Sequence, residues 1–283
     1  MIDRRGQRGG GAGLGGLLGL LPLITRVRGG WLIALVLVGL SLAGGLGGLG
    51  GMFGGGSSET STTGAPAAGP RSDDKKAHFV AFVLDDAQTT WRQELAKRGK
   101  PYRNAKLVMF TGATQTACGN GQAATGPFYC PEDERVYIDL SFYNELEQHL
   151  GARGDFAQAY VIAHEIGHHV QHQLGIDDKA RSARGSQRGA EGNSVRLELQ
   201  ADCFAGIWAK ASADRKLLEP GDIDQALNAA AAIGDDRLQK QSTGHVNPEQ
   251  WTHGSSAARS RWFKTGFEKA SLEACDTFNA TNL

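Results

Sequence analysis

An α+β domain, mainly helical with a small sheet, is the expectation raised by three features of this 283-residue sequence. Several segments beyond residue 77 space their apolar residues three and four apart, which gives a helix one buried face. Two short runs, Lys106 to Thr111 and Arg135 to Leu140, are rich in apolar and β-branched residues and read as strands. Ahead of both stands Trp31 to Phe53, a stretch of 23 residues without a charge, long enough to cross a bilayer core.

Taken in order, residues 1–30 form a basic, Gly-rich N-terminus, with Arg4, Arg5, Arg8, Arg26 and Arg28 against Asp3 alone. An Arg excess before an apolar segment places the N-terminus in the cytoplasm. Residues 31–53 then read as a single membrane anchor, strongly apolar from Leu32 to Leu42 and Gly-rich afterwards. Ser41-Leu42-Ala43 also permits a cleaved signal segment. Both readings export the remainder to the extracytoplasmic face of the cell membrane. Residues 54–76, rich in Gly, Ser, Thr, Ala and Pro, form a flexible linker that cannot build a core. Residues 77–283 are long enough to bury an ample one. The net charge is zero, which gives no argument for a nucleic-acid partner.

Within this domain Phe79 to Arg98 reads as a helix anchored by Trp91 and Leu95. A Gly-rich loop from Gly112 to Pro131 separates the two strands. Asp155 with Gln158 resembles an N-cap and capping box, and Gly175 is placed to end that helix. Val195 to Lys210 is the next helix, and Ile176 to Gly192 between them reads as a mobile surface loop, an insertion or a lid. Asp222 with Gln225 opens a helix over Ile223 to Ile233, and Ala257 to Phe267 is the last helix. The four cysteines lack C-x-x-C spacing, so a cysteine zinc site is not expected. An even count in an exported domain favours disulfides. The preferred pairs are Cys118 with Cys130 and Cys203 with Cys275, although three pairings are open and buried free thiols are the alternative.

Chemistry concentrates in His164-Glu165-Ile166-Gly167-His168. Residues four apart lie on one helical face, so His164 and His168 can aim at one ion with Glu165 beside it. A zinc site of this kind needs a third protein ligand and leaves one position for water. Glu198 and Asp202 share a face of the following helix among apolar residues, where carboxylates are costly unless paired or bound to metal. Glu198 is therefore the expected third ligand and Asp202 its partner, accepting from a ligand imidazole. The alternative is an amphipathic helix with both acids in solvent. His169 and His172 are read as helix-surface or supporting residues, since His172 lies about 12 Å along the axis from His164.

These motifs resemble those of the bacterial neutral zinc metallopeptidases, membrane-anchored zincins. The likeness runs through residues 157–171 and 198–206, with Gly126-Pro127-Phe128-Tyr129-Cys130-Pro131, Gly234-Asp235-Asp236 and Thr252-His253-Gly254-Ser255-Ser256. It implies a zincin-like fold and zinc-dependent hydrolysis of a peptide or protein substrate, Glu165 acting as general base toward water. In zincins an edge strand above the metal helix holds extended substrate. Arg135 to Leu140, with Gly126 to Tyr129, is the candidate, or an interior strand. His253 is the candidate donor to the developing oxyanion, with Arg259 and Arg261 behind it; a loop-capping His and solvated Arg residues are the alternative. Two other functions remain at this point: a catalytically silent, zinc-stabilised envelope module, and an amidase of cell-wall peptides.

Overall fold

The computed structural model describes residues 1–6, 71–183 and 185–283. The expected anchor at 31–53 and residues 54–70 of the expected linker lie outside the described residues. Among the described residues no helix is long and apolar enough to cross a membrane. The fold is α+β and mainly helical, as the periodicities require.

Helix α1 (Asp74–Ala96) opens the domain a few residues earlier than the composition shift suggests. An acid at its first position accepts the Arg71 N–H at 2.8 Å and favours the positive end of the helix. Trp91 is fully buried and meets Phe204 with ring centroids 5.0 Å apart. The two expected strands follow as β2 (Lys106–Phe110) and β6 (Arg135–Asp139), parallel, with Leu107 opposite Val136 and Met109 opposite Ile138. The intervening Gly-rich segment is not simply a loop. It forms a hairpin, β3 (Ala113–Thr116) and β4 (Gly119–Gln122), and then β5 (Phe128–Cys130), antiparallel to β6.

Sheet order is β1-β2-β6-β5, where β1 is Ile2–Asp3. Strand β6 is therefore interior and β5 forms an edge, which decides between the two readings of residues 135–140. Both faces are covered, so these strands are apolar almost throughout. Leu107, Met109, Val136 and Ile138 enter the helical core, while Val108, Phe110, Tyr137 and Cys130 form a smaller cluster behind. The N-terminus is likewise not wholly a tail, since residues 2 and 3 are paired.

The helical layer consists of α2 (Phe142–Gln148), α3 (Asp155–Gln173), α4 (Ile176–Ser182), α5 (Asn193–Asp214), α6 (Asp222–Ala232), α7 (Asp235–Thr243) and α8 (Ser256–Lys269). Gly175 takes the left-handed conformation expected where α3 ends. The capping boxes do not form. Gly154 and Gly221 are the N-caps of α3 and α6, and Gln225 instead accepts the Phe156 N–H of α3 at 3.0 Å. Helix-end amides need an acceptor but not a local one, and a neighbouring helix supplies it here. Residues 176–182 are helical rather than loop: Ala180 is buried, and Arg181 pairs with Asp177 and Asp178. Both expected disulfides, Cys118–Cys130 and Cys203–Cys275, are present.

Two close helix crossings position the site. A Cβ on Gly167 would stand 3.0 Å from the Ala201 backbone, so α3 and α5 approach as closely as a missing side chain allows. On the other side of α5, a Cβ on Gly266 of α8 would lie 1.8 Å from the Cys203 carbonyl oxygen. Helix α5 is thus held backbone-to-backbone between α3 and α8.

Candidate metal centre

The α3–α5 crossing brings His164, His168 and Glu198 together. One donor atom from each lies within 4.8 Å of the other two. His164 Nε2 is 3.1 Å from Glu198 Oε2, and His168 Nε2 is 3.4 Å from Glu198 Oε1. The two rings stand nearly perpendicular, with centroids 4.8 Å apart.

Each imidazole is oriented from its far side. His164 Nδ1–H donates to Asp202 Oδ1 at 2.8 Å, and His168 Nδ1–H donates to Gln171 Oε1 at 2.8 Å. Gln171 is fixed in turn, donating to the Leu197 carbonyl at 2.7 Å. With both Nδ1 atoms engaged, both Nε2 lone pairs face Glu198, the arrangement that outer hydrogen bonds give to metal-binding histidines. Two imidazole nitrogens and a carboxylate oxygen are also a donor set that suits zinc. The residues fit the ion on both counts.

Asp202 has no solvent exposure and gathers four contacts. Besides His164 it accepts from the Tyr160 hydroxyl at 2.5 Å and from Arg259 Nε and Nη2 at 2.9 and 3.0 Å. Burial opposes its charge, but Arg259 and His164 overcome that and keep its pKa low. Arg259 is itself buried, 3.8 Å from Glu198 Oε2. The expectation that it backs His253 is corrected, because α8 turns it inward onto Asp202. Arg261 is exposed and takes no part, two residues being more than half a turn of helix.

Glu165 is 7% exposed and stands among the three donors without being one. Burial raises its pKa, and the neighbouring histidines and the Tyr129 backbone amide hold the rise back. Burial likewise works against protonation of His164, but Asp202 and Glu198 outweigh it and lift the metal-free imidazole to about 10. Glu198 is held well below its usual range against the same penalty, chiefly by His168 and His164.

His253 lies on the loop before α8, with Nδ1 3.2 Å from Asp235 Oδ1. Asp235, opening α7, also accepts the N–H groups of Thr252, His253 and Gly254. Burial lowers the His253 pKa, but the Asp235 hydrogen bond and the Glu198 charge raise it overall. Sequence reading did not find Asp235 as the residue that holds this loop, although Gly234-Asp235-Asp236 stood out as a motif. Tyr160 and Gln171 were also missed; as ordinary residues on a helix they carry no signal apart from their partners. His172 pairs with Asp177 at 3.0 Å and is no ligand. His169 is fully buried, between the Tyr129 hydroxyl at 2.9 Å and the Arg103 carbonyl at 2.6 Å, tying α3 to β5.

A helical α+β domain with two histidines from α3 and a glutamate from α5 defines a metal-site protein of the zinc-peptidase type. Comparison with known proteins agrees. The chain belongs to the family described as "Putative neutral zinc metallopeptidase", whose model matches residues 1–278. It is 54% identical over 209 residues to the uncharacterized protein YpfJ of Escherichia coli K12, covering 73% of each chain. It is 43% identical over 215 residues to the uncharacterized proteins Mb2605 of Mycobacterium bovis and Rv2575 of Mycobacterium tuberculosis, covering 72% of this chain and 71% of theirs. No solved structure matches.

Proposed function

We propose that the protein is a zinc-dependent endopeptidase attached to the outer face of the cytoplasmic membrane. The observation that carries this reading is Glu165, a carboxylate buried beside three metal donors and not needed to complete them. A silent zinc-stabilised module has no use for such a group. Its location rests on the two disulfides, which favour an oxidising compartment, and on the uncharged stretch at 31–53.

His164, His168 and Glu198 would hold the ion, which supplies Lewis acidity toward a water and a scissile carbonyl. Glu165, its basicity raised by burial, takes the proton from the attacking water and delivers it to the leaving nitrogen. His253, held by Asp235 through Nδ1, is the group placed to donate toward the negative charge that develops on the carbonyl oxygen. The edge strand β5 lies against the metal helix, its Tyr129 backbone amide turned to Glu165, and is the candidate to align an extended peptide beside the donors. Arg259 and Asp202 orient His164 and do not touch substrate.

Glu165→Gln tests the proposal. The variant should retain stoichiometric zinc by metal analysis and lose hydrolysis of an unstructured protein such as casein by at least ~100-fold. Undiminished hydrolysis, or loss of zinc together with activity, removes Glu165 from this role. Muropeptides run beside casein separate a peptidase from a cell-wall amidase.

A further inference from the structure

The N-terminus is built into the sheet that backs the metal helix. Ile2 and Asp3 lie in parallel register with Val108 and Met109, and the Arg4 N–H donates to the Met109 carbonyl at 2.8 Å. Side chains reinforce the pairing. Ile2 packs on the cluster of Val108, Phe110, Cys130 and Tyr137. Arg4 Nη1 donates to Thr114 Oγ1 and to the Gln115 carbonyl, each at 3.1 Å. Arg5 is only 8% exposed and ion-pairs with Asp3 at 2.8 Å. Residues 1–6 belong to the same compact unit as the described residues from Lys75 to Leu283.

A hydrogen bond of this length cannot exist across a hydrocarbon core about 30 Å thick. We propose that residues 1–6 lie on the same side of the membrane as the metal centre, as a strand of its sheet. This revises the single crossing with a cytoplasmic N-terminus expected from charge alone. The revision has a physical basis, because Arg4 and Arg5 have partners within the fold and are not free to set orientation by attraction to the cytoplasm.

Single cysteines placed in the full-length chain test the inference, since the four native cysteines are held in disulfides. Gln7→Cys reports the N-terminus, and Lys100→Cys, at an exposed position, reports the domain. Both are treated with a membrane-impermeant maleimide in spheroplasts before and after lysis. Equal labelling of the two before lysis is the expected result. Labelling of both only after lysis would keep the shared side and overturn the outward location of the enzyme instead. Labelling of Lys100→Cys before lysis and of Gln7→Cys only after it overturns the inference, and so does a mature protein that lacks residues 1–6 by mass. A second variant covers the case where Gln7→Cys is sterically shielded. Ile2→Asp should lower the melting temperature of the full-length protein, and an unchanged melting temperature overturns the pairing.

Discussion

Replacing Arg259 by Ala removes the cation from a site where everything else stays buried. Asp202, with no solvent exposure, would keep its negative charge and lose the two guanidinium hydrogen bonds at 2.9 and 3.0 Å. The Tyr160 hydroxyl and His164 Nδ1 would remain. Breaking a buried pair from one side costs about 3–5 kcal/mol, because the surviving charge is left without compensation. For a domain of this size, 1 kcal/mol moves the melting temperature by about 2–4 °C, so a drop of ~6–20 °C is expected. Arg259→Ala combined with Asp202→Asn should cost less than the sum of the two single changes, since the second removes the charge the first leaves unpaired. Arg261→Ala, exposed two residues along the same helix, is the control and should stay within about 0.5 kcal/mol. Calorimetry or denaturant unfolding of the four variants reads these values. Additive effects, or an Arg259→Ala cost below ~1 kcal/mol, would refute the argument that Arg259 and Asp202 form one buried unit.

Other perturbations test other parts of the structure. Gly266→Ala should destabilise by about 3 kcal/mol, although Ala is the better helix former by about 1 kcal/mol, because its methyl would meet the Cys203 carbonyl; a stabilised variant in urea unfolding would show the crossing to be looser. Removing the Cys203–Cys275 bridge, which spans 72 residues, should cost on the order of 4 kcal/mol, and an unchanged denaturation midpoint after paired substitution by Ser would count against it. The raised pKa of His253 means that its bond to Asp235 is fully stabilising below the unfolded imidazole value and fades as pH rises through the folded one. His253→Asn should therefore lower the melting temperature more at pH 6 than at pH 9, each against wild type, and a pH-independent difference would contradict the pairing.

Local pattern alone carried a good deal of the site. Four-residue spacing places His164 with His168 and Glu198 with Asp202 on single helical faces, because an α-helix repeats at 3.6 residues wherever it sits. The same regularity delivered α3, α5, α6 and α8 to within a few residues, and composition located β2 and β6. What failed were those readings in which the wrong partner was assumed for a residue whose partner lies far along the chain. Gln225 looked like the cap of its own helix and caps another. Arg259 and Arg261 looked alike, and only the close α5–α8 crossing sends one onto Asp202 and leaves the other in water. Residues 2–4 read as a basic tail, since a two-residue strand has no periodicity of its own and exists only because β2 offers an edge. By itself the sequence determined which side chains could share a helix face. Tertiary structure decided which faces meet, because glycine-permitted backbone contact and the satisfaction of buried charges are properties of pairs of elements and are written in neither element alone.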